Sequence, residues 1–319
     1  MKLCAACHED LPKDKFSKKQ WKLDKSQRRC KVCGSDNRRV QPPPQDKQDN
    51  DEIENLFDSM VIHDIDLSPS SDDDLSPADE DLFKTPPKLK DCPICFLLLP
   101  TLESGGIYKS CCGKTICNGC FMANAKINLK KQLCAFCRTP PPRSDKEAMH
   151  REKKRAEAGD VMAIYNIGCH YGNGEYGYSQ DHTKALEFWH RAAELGFAKA
   201  YENIGATYYF GEGVEEYEKK AIYYWELAAM GGDAYARHNL GRKEEQGEGN
   251  LDKALRHYLI SLRGGYASAL KDIKNLFTDG YATKDDYTKA LRAYQEYLEE
   301  IKSDERDRAA AYNDRYRYY

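Results

Sequence analysis

Residues 163–168 read AIYNIG, and three related hexads follow: AYENIG at 200–205, ARHNLG at 236–241 and ALKDIK at 269–274. A fixed grammar surrounds each leading alanine. One glycine stands four residues earlier (Gly159, Gly196, Gly232, Gly265) and another eleven residues later (Gly174, Gly211, Gly247, Gly280). A Lys-Ala pair then opens a second segment at Ala185, Ala221, Ala254 and Ala290, with an aromatic four residues on: Trp189, Trp225, Tyr258 and Tyr294. The period is 33–37 residues. Self-similarity of that length marks stacked supersecondary units, each unable to bury its apolar face alone. Small alanines let paired helices approach, glycines supply turn geometry, and aromatics fill the space between layers. The fold class follows: mainly α, a helical solenoid.

The repeats are expected over residues 143–302. Residues 145–158, running into RAEAGD at 155–160, match the end of a second helix (RAAELG at 191–196) and read as a half-repeat cap. The grammar resembles Sel-one-like repeats, relatives of the tetratricopeptide repeat, with Lys274 marking a degenerate last unit. That resemblance implies an extended surface for a protein substrate or adaptor. Trp189 and Trp225 read as core, and Cys169, in the slot of Ala206, as a buried small residue. Gly172 and Gly174, like Gly211 and Gly213, lie between helices and read as turns, not phosphate cradles. His170, His190, His238 and His257 show no ligand spacing. The tail 303–319 reads as a helix or as disordered, its Arg/Tyr mixture a candidate partner surface.

Ahead of the repeats, residues 92–137 hold eight cysteines in 46 residues: CPIC, fifteen residues, CCGKTICNGC, thirteen residues, CAFC. Three of the four pairs have the Cys-x-x-Cys spacing that lets two thiolates from one turn reach a single Zn²⁺. Four pairs supply enough ligands for two closed tetrahedral sites. The start, MKLCAACHED, lacks the apolar core of a secretory signal, and no apolar run approaches the ~20 residues of a membrane span. A cytosolic or nuclear location is therefore expected, with no membrane partner, and there thirteen cysteines point to metal and not to disulfides.

The alternation of pairs resembles the cross-braced RING finger, expected over 92–142. The resemblance implies one zinc on Cys92, Cys95, Cys117 and Cys120 and a second on Cys111, Cys112, Cys134 and Cys137. The usual histidine slot holds Lys114, and the extra Cys111 makes an all-cysteine set like that of the Not-four-type RING. Each four-cysteine site carries a formal −2, which Lys109, Lys114 and Lys131 are placed to offset. RING fingers bind a ubiquitin-conjugating enzyme and fix its ubiquitin thioester in a reactive pose, contributing position without a covalent step. By the resemblance, Ile94 is the apolar contact for that enzyme. Arg138 matches the linchpin arginine whose planar fork bridges enzyme and ubiquitin. The proline often found after the seventh ligand is Ala135 here, and Pro140 follows nearby as a further contact.

Residues 1–40 contain two more knuckles, Cys4/Cys7 and Cys30/Cys33, which fit one structural zinc, with His8 a bystander. The pattern resembles the small zinc domain of the Stc-one type. This segment carries 12 Lys/Arg against 5 Asp/Glu, and its basic residues around Trp21 are a candidate surface for nucleic acid. Phe16 and Trp21 read equally as the core of so small a domain. Residues 41–91 reverse the charge, with 15 Asp/Glu against 4 Lys/Arg, and their prolines and serines predict a disordered acidic linker. Ser68-Pro69, Ser76-Pro77 and Thr85-Pro86 there are candidate proline-directed phosphorylation sites. Two functions stay open on the sequence: a RING-type ubiquitin ligase whose repeats recruit a protein, and a zinc-stabilised interaction scaffold or nucleic-acid adaptor without ligase activity.

Overall fold

The computed structural model describes residues 2–3, 10–11, 77–101, 105–127, 132–247 and 249–319. The chain divides into two units, Met1–Ser68 and Pro69–Tyr319. In the first, strands β1 (Lys2–Leu3) and β2 (Asp10–Leu11) pair antiparallel, Lys2 opposite Leu11. The expected zinc ligands Cys4, Cys7, Cys30 and Cys33, the candidate nucleic-acid surface and linker residues 41–76 lie outside the described residues.

The second unit holds twelve α-helices among the described residues, named here in chain order. A single turn α1 (Asp79–Leu82) comes first, then a hairpin of β3 (Gly106–Lys109) and β4 (Lys114–Cys117), then α2 (Asn118–Ile127). The helical array follows: α3 (Asp145–Glu157), α4 (Val161–Asn173), α5 (His182–Glu194), α6 (Ala198–Phe210), α7 (Glu218–Met230), α8 (Ala234–Gln246) and α9 (Leu251–Arg263). These seven helices are each 13 residues long, as a strict sequence period demands. A last pair, α10 (Ser268–Thr278) and α11 (Lys284–Ile301), and a terminal helix α12 (Asp304–Tyr312) complete the chain. Mainly α with a repeat solenoid is what the hexads predict.

Each repeat is a helical hairpin, and the last residue of its hexad fixes how closely the helices meet. Gly168, Gly205 and Gly241 lie under the aromatic of the second helix. A methyl group on them would sit 2.7, 2.6 and 2.6 Å from Trp189, Trp225 and Tyr258. The fourth hexad ends in Lys274, and its aromatic Tyr294 is only partly buried against Ala269, Ile273 and Ala290. Helix starts are set by short polar side chains. Asp160, Asp181, Asp233 and Asn250 accept backbone N–H bonds at the starts of α4, α5, α8 and α9, each cap stabilising by about 1 kcal/mol. Gly174 and Gly211 end α4 and α6 in the left-handed conformation that glycine adopts without strain. Trp189 and Trp225 are buried, as expected of core, whereas Cys169 is only half-buried.

One segment differs from its expectation. Residues 77–91, counted with the disordered linker, are seated on the repeats: Leu82 is 1% exposed and packs with Trp225, Ala228, Ala229, Ala236 and Leu240. Local composition concealed this, because the apolar area that offsets the ordering entropy lies far away in sequence. The tail, read as a helix or as disordered, is a helix of its own. Ser303 accepts the Arg306 N–H to start α12, which then packs on α2 of the cysteine-rich segment.

The cysteine-rich segment is tied to both ends of the array. At the near end, the Tyr108 hydroxyl donates to Asp160 at 2.9 Å, and Arg155 donates to the same carboxylate at 2.7 Å. At the far end, the Thr101 N–H donates to the Tyr297 hydroxyl at 2.9 Å, and Leu98 packs with Tyr297, Ile301 and Tyr318.

Candidate metal centre

Local backbone geometry presents the eight sulfurs. In the first knuckle Phe96 N–H donates to Cys92 O at 2.9 Å and Cys92 N–H to Leu97 O at 2.8 Å. The last knuckle repeats that wiring, with Arg138 N–H to Cys134 O at 3.1 Å and Cys134 N–H to Thr139 O at 2.9 Å. In each, the residue after the second cysteine has positive φ: 57° at Phe96 and 59° at Arg138. The β3–β4 hairpin delivers the middle pairs. Its turn carries Cys111 and Cys112, closed by Cys112 N–H and Gly113 N–H donating to Lys109 O, while β4 ends on Cys117 and α2 opens with Cys120 in its first turn.

These turns bring the sulfurs together in two groups. Cys92, Cys95, Cys117 and Cys120 form one, and Cys111, Cys112, Cys134 and Cys137 the other; within each, all Sγ atoms lie within 4.8 Å of one another. Pairs one and three share a cluster, as do pairs two and four, so the segments are interleaved. A tetrahedral ion with Zn–S bonds of about 2.3 Å spaces its sulfurs about 3.8 Å apart. Cys95 and Cys117 stand 3.8 Å apart, and Cys112 and Cys134 3.7 Å. The donor set therefore fits two zinc ions with all positions closed. Such ions supply folding energy and leave no open position for substrate.

The electrostatics of the first cluster agree with that donor set. Hydrogen bonding from the Cys117 thiol, aided by the Cys117 N–H at 3.4 Å, holds the Cys92 thiol below its ordinary range despite burial. The same contact, with burial, pushes Cys117 up. Thiolates at this spacing repel one another, and a divalent cation removes that conflict.

A cation from the far end of the chain completes the first cluster. Arg306, on α12, is 1% exposed; its Nη1 donates to Ile301 O at 2.6 Å, and its Nη2 reaches Leu97 O at 3.4 Å and Cys95 Sγ at 3.8 Å. Gly119 permits the approach, since a methyl there would meet the Arg306 backbone nitrogen at 2.7 Å. Of the lysines expected to offset the clusters, Lys109 lies over the Phe121 ring, 4.4 Å from its centroid, and Lys114 is exposed. Lys131 lies outside the described residues. Nothing in the tail's composition singles out Arg306. Its own four-residue neighbourhood reads as an exposed, charged helix start.

The expected contact residues are all at the surface. Ile94 is 37% exposed and neighbouring Phe96 78%, although the knuckle they belong to starts on the fully buried Cys92. Arg138 and Pro140 are exposed at the second knuckle, and the Pro140 carbonyl accepts from Arg151 of α3 at 2.8 Å. No helix among the described residues is long and apolar enough to cross a membrane.

Comparison with known proteins adds three findings. A stretch of 53 residues, 16% of this chain, is 42% identical to the E3 ubiquitin-protein ligase DA2 of Arabidopsis thaliana and 40% identical to the E3 ubiquitin-protein ligase GW2 of Oryza sativa subsp. indica. The chain spans only 12% of the length of these curated relatives. Among solved structures, a Sel1 repeat protein from Oxalobacter formigenes is 28% identical with a TM-score of 0.43, covering 50% of this chain and 65% of that one. The family described as Sel1 repeat matches residues 161–197, 198–233 and 234–266, which are the hairpins α4/α5, α6/α7 and α8/α9. The three hairpins spanning 161–266 are thus Sel1 repeats, a stacked helical surface of the kind suited to binding other proteins.

Proposed function

We propose that the chain is a RING-type ubiquitin-protein ligase, in which residues 92–142 hold two structural zinc ions and dock a ubiquitin-charged conjugating enzyme. The observation that carries this reading is the interleaving of the two cysteine clusters within 46 residues. The short likeness to two E3 ubiquitin-protein ligases supports it. In this reading Ile94 and Pro140 contact the conjugating enzyme, and Arg138 positions ubiquitin against it. The chain supplies no nucleophile. It lowers the barrier by holding the thioester in one pose, so the attacking amine meets it without a further search. The repeats bring the protein that receives ubiquitin, and one chain carrying both surfaces raises their effective concentration.

Self-ubiquitination reconstituted with a panel of conjugating enzymes tests the proposal, with Cys117→Ser as the inactive control. Arg138→Gly separates chemistry from folding. At a φ of 59° glycine relieves the strain of about 1 kcal/mol that arginine bears, so stability holds or rises. The rate should nonetheless fall at least ~10-fold, the loss of about 1.4 kcal/mol of positioning. Full activity in Arg138→Gly would remove the assigned role.

A further inference from the structure

The segment that leads into the first knuckle lies on the repeats as a bound peptide would. Leu82 is inserted among the apolar side chains of α7 and α8, and the Phe83 ring lies tilted against His257 of α9, 4.6 Å between centroids. Two arginines flank that ring: the Arg256 guanidinium is 3.8 Å from its centroid and that of Arg237 5.7 Å. Lys253 meets the Asp79 carboxylate at 3.1 Å. The seat thus offers an apolar slot rimmed by cations, and its occupant offers acidic residues followed by Leu-Phe.

The Gly205–Trp225 and Gly241–Tyr258 contacts set the approach of the helices within α6/α7 and α8/α9, and Leu82 and Phe83 are added to that packing from a segment outside the repeats. The present occupant also leaves the seat incompletely satisfied. Arg237 is 1% exposed, and its Nη2 donates to Ala229 O at 3.2 Å, but its buried Nε and Nη1 have no hydrogen-bond partner. Buried donors without acceptors are costly, so the resident segment is held less tightly than a fully paired occupant would be.

We propose that this seat is a docking site of the repeats for partner protein segments in which acidic residues precede a Leu-Phe pair. The chain's own Asp79–Phe83 keeps it closed until such a segment displaces it. This deepens the protein-recruiting half of the function proposed above and is independent of the ubiquitin half. Its test contains no ubiquitin, so the two readings fail separately.

The probe is a fluorescein-labelled peptide with the sequence of residues 77–90, PADEDLFKTPPKLK, titrated with the full chain by fluorescence anisotropy. A tethered occupant acts at an effective concentration of about 1 mM. Against a peptide of ~10 μM intrinsic affinity, it suppresses binding about 100-fold. Leu82→Ser with Phe83→Ser should therefore bind the probe about 100-fold more tightly than the unaltered chain, and adding Arg256→Glu should reverse the gain. A double variant with native helical signal that binds no more tightly overturns the proposal, as does equal binding of a peptide with Ser-Ser in place of Leu-Phe. Hydrogen exchange on the unaltered chain decides the matter without any variant. Saturating peptide should speed exchange of the amides of 79–90, and unchanged protection in excess peptide also overturns the proposal.

Discussion

Arg306→Ala should destabilise the whole body formed by residues 77–319. The side chain is buried, charged and forked. Its removal strips donors from two carbonyls, Ile301 O and Leu97 O, and the nearest cation from Cys95 Sγ. A buried acceptor left without a donor costs about 1–3 kcal/mol, and the truncated side chain leaves a void besides. Leu97 O keeps the Cys92 N–H, so taking the middle of that range for Ile301 O alone and about 1 kcal/mol for the void gives about 3 kcal/mol. For a body of this size, about 2–4 °C per kcal/mol converts that to a fall in Tm of roughly 6–12 °C. Thermal unfolding followed by far-UV circular dichroism reads it, with zinc content measured in parallel. Arg306→Lys, which keeps the charge but not the fork, should recover only part of the loss. An unchanged Tm in Arg306→Ala would refute the claim that this arginine joins the terminal helix to the first cluster.

Cys117→Ser should lower the zinc bound per chain by one equivalent relative to the unaltered protein, because the second cluster shares no ligand with the first; elemental analysis showing no loss would refute the pairing. Gly265→Ala should cost about 3 kcal/mol, since φ is +90° there and the new methyl would lie 2.1 Å from Tyr297 Cζ, which bears the hydroxyl that accepts the Thr101 N–H. Urea denaturation of this variant at the stability of the unaltered chain would contradict the packing described. Burial holds His190 down to about 4, and burial with the nearby Arg237, Lys253 and Arg256 charges holds His257 down to about 3. Both are depressed below the ordinary 6.5, so the unfolded chain takes up protons that the folded chain refuses. Stability is therefore complete above about pH 6.5 and falls by about 2 kcal/mol per histidine between pH 7 and pH 5. Replacing both by leucine should shrink that fall, and an equally steep profile would assign it to other groups.

The repeats were legible because their signal is local and recurs: one hexad, one flanking glycine pair and one aromatic specify a hairpin, and three further copies confirm the period. The cysteine spacing likewise displayed four pairs, while the expectation of which pairs share an ion came from the resemblance to the cross-braced finger. What stayed hidden are contacts between segments remote in sequence. Arg306 lies 211 residues from Cys95, and no pattern near either residue announces the other. Leu82 and Phe83 sit in an acidic, proline-rich stretch whose composition argues for disorder, and only the distant apolar slot reverses that balance. The hexad glycines were visible as repeats but not as seats for Trp189, Trp225 and Tyr258, since that role requires knowing which face of the first helix meets the second.

The double attachment of the cysteine-rich segment, through Tyr108 to Asp160 and through Thr101, Leu98 and Arg306 to the last helices, has a mechanical consequence. An open stack of helical hairpins bends like a spring, each unit yielding a little. Here a strut spans first coil to last, and ions held in its two cysteine clusters would keep the strut stiff. Stripping those ions would slacken the coil as a whole, so metal supply would govern the curvature that the helical surface presents to whatever it holds.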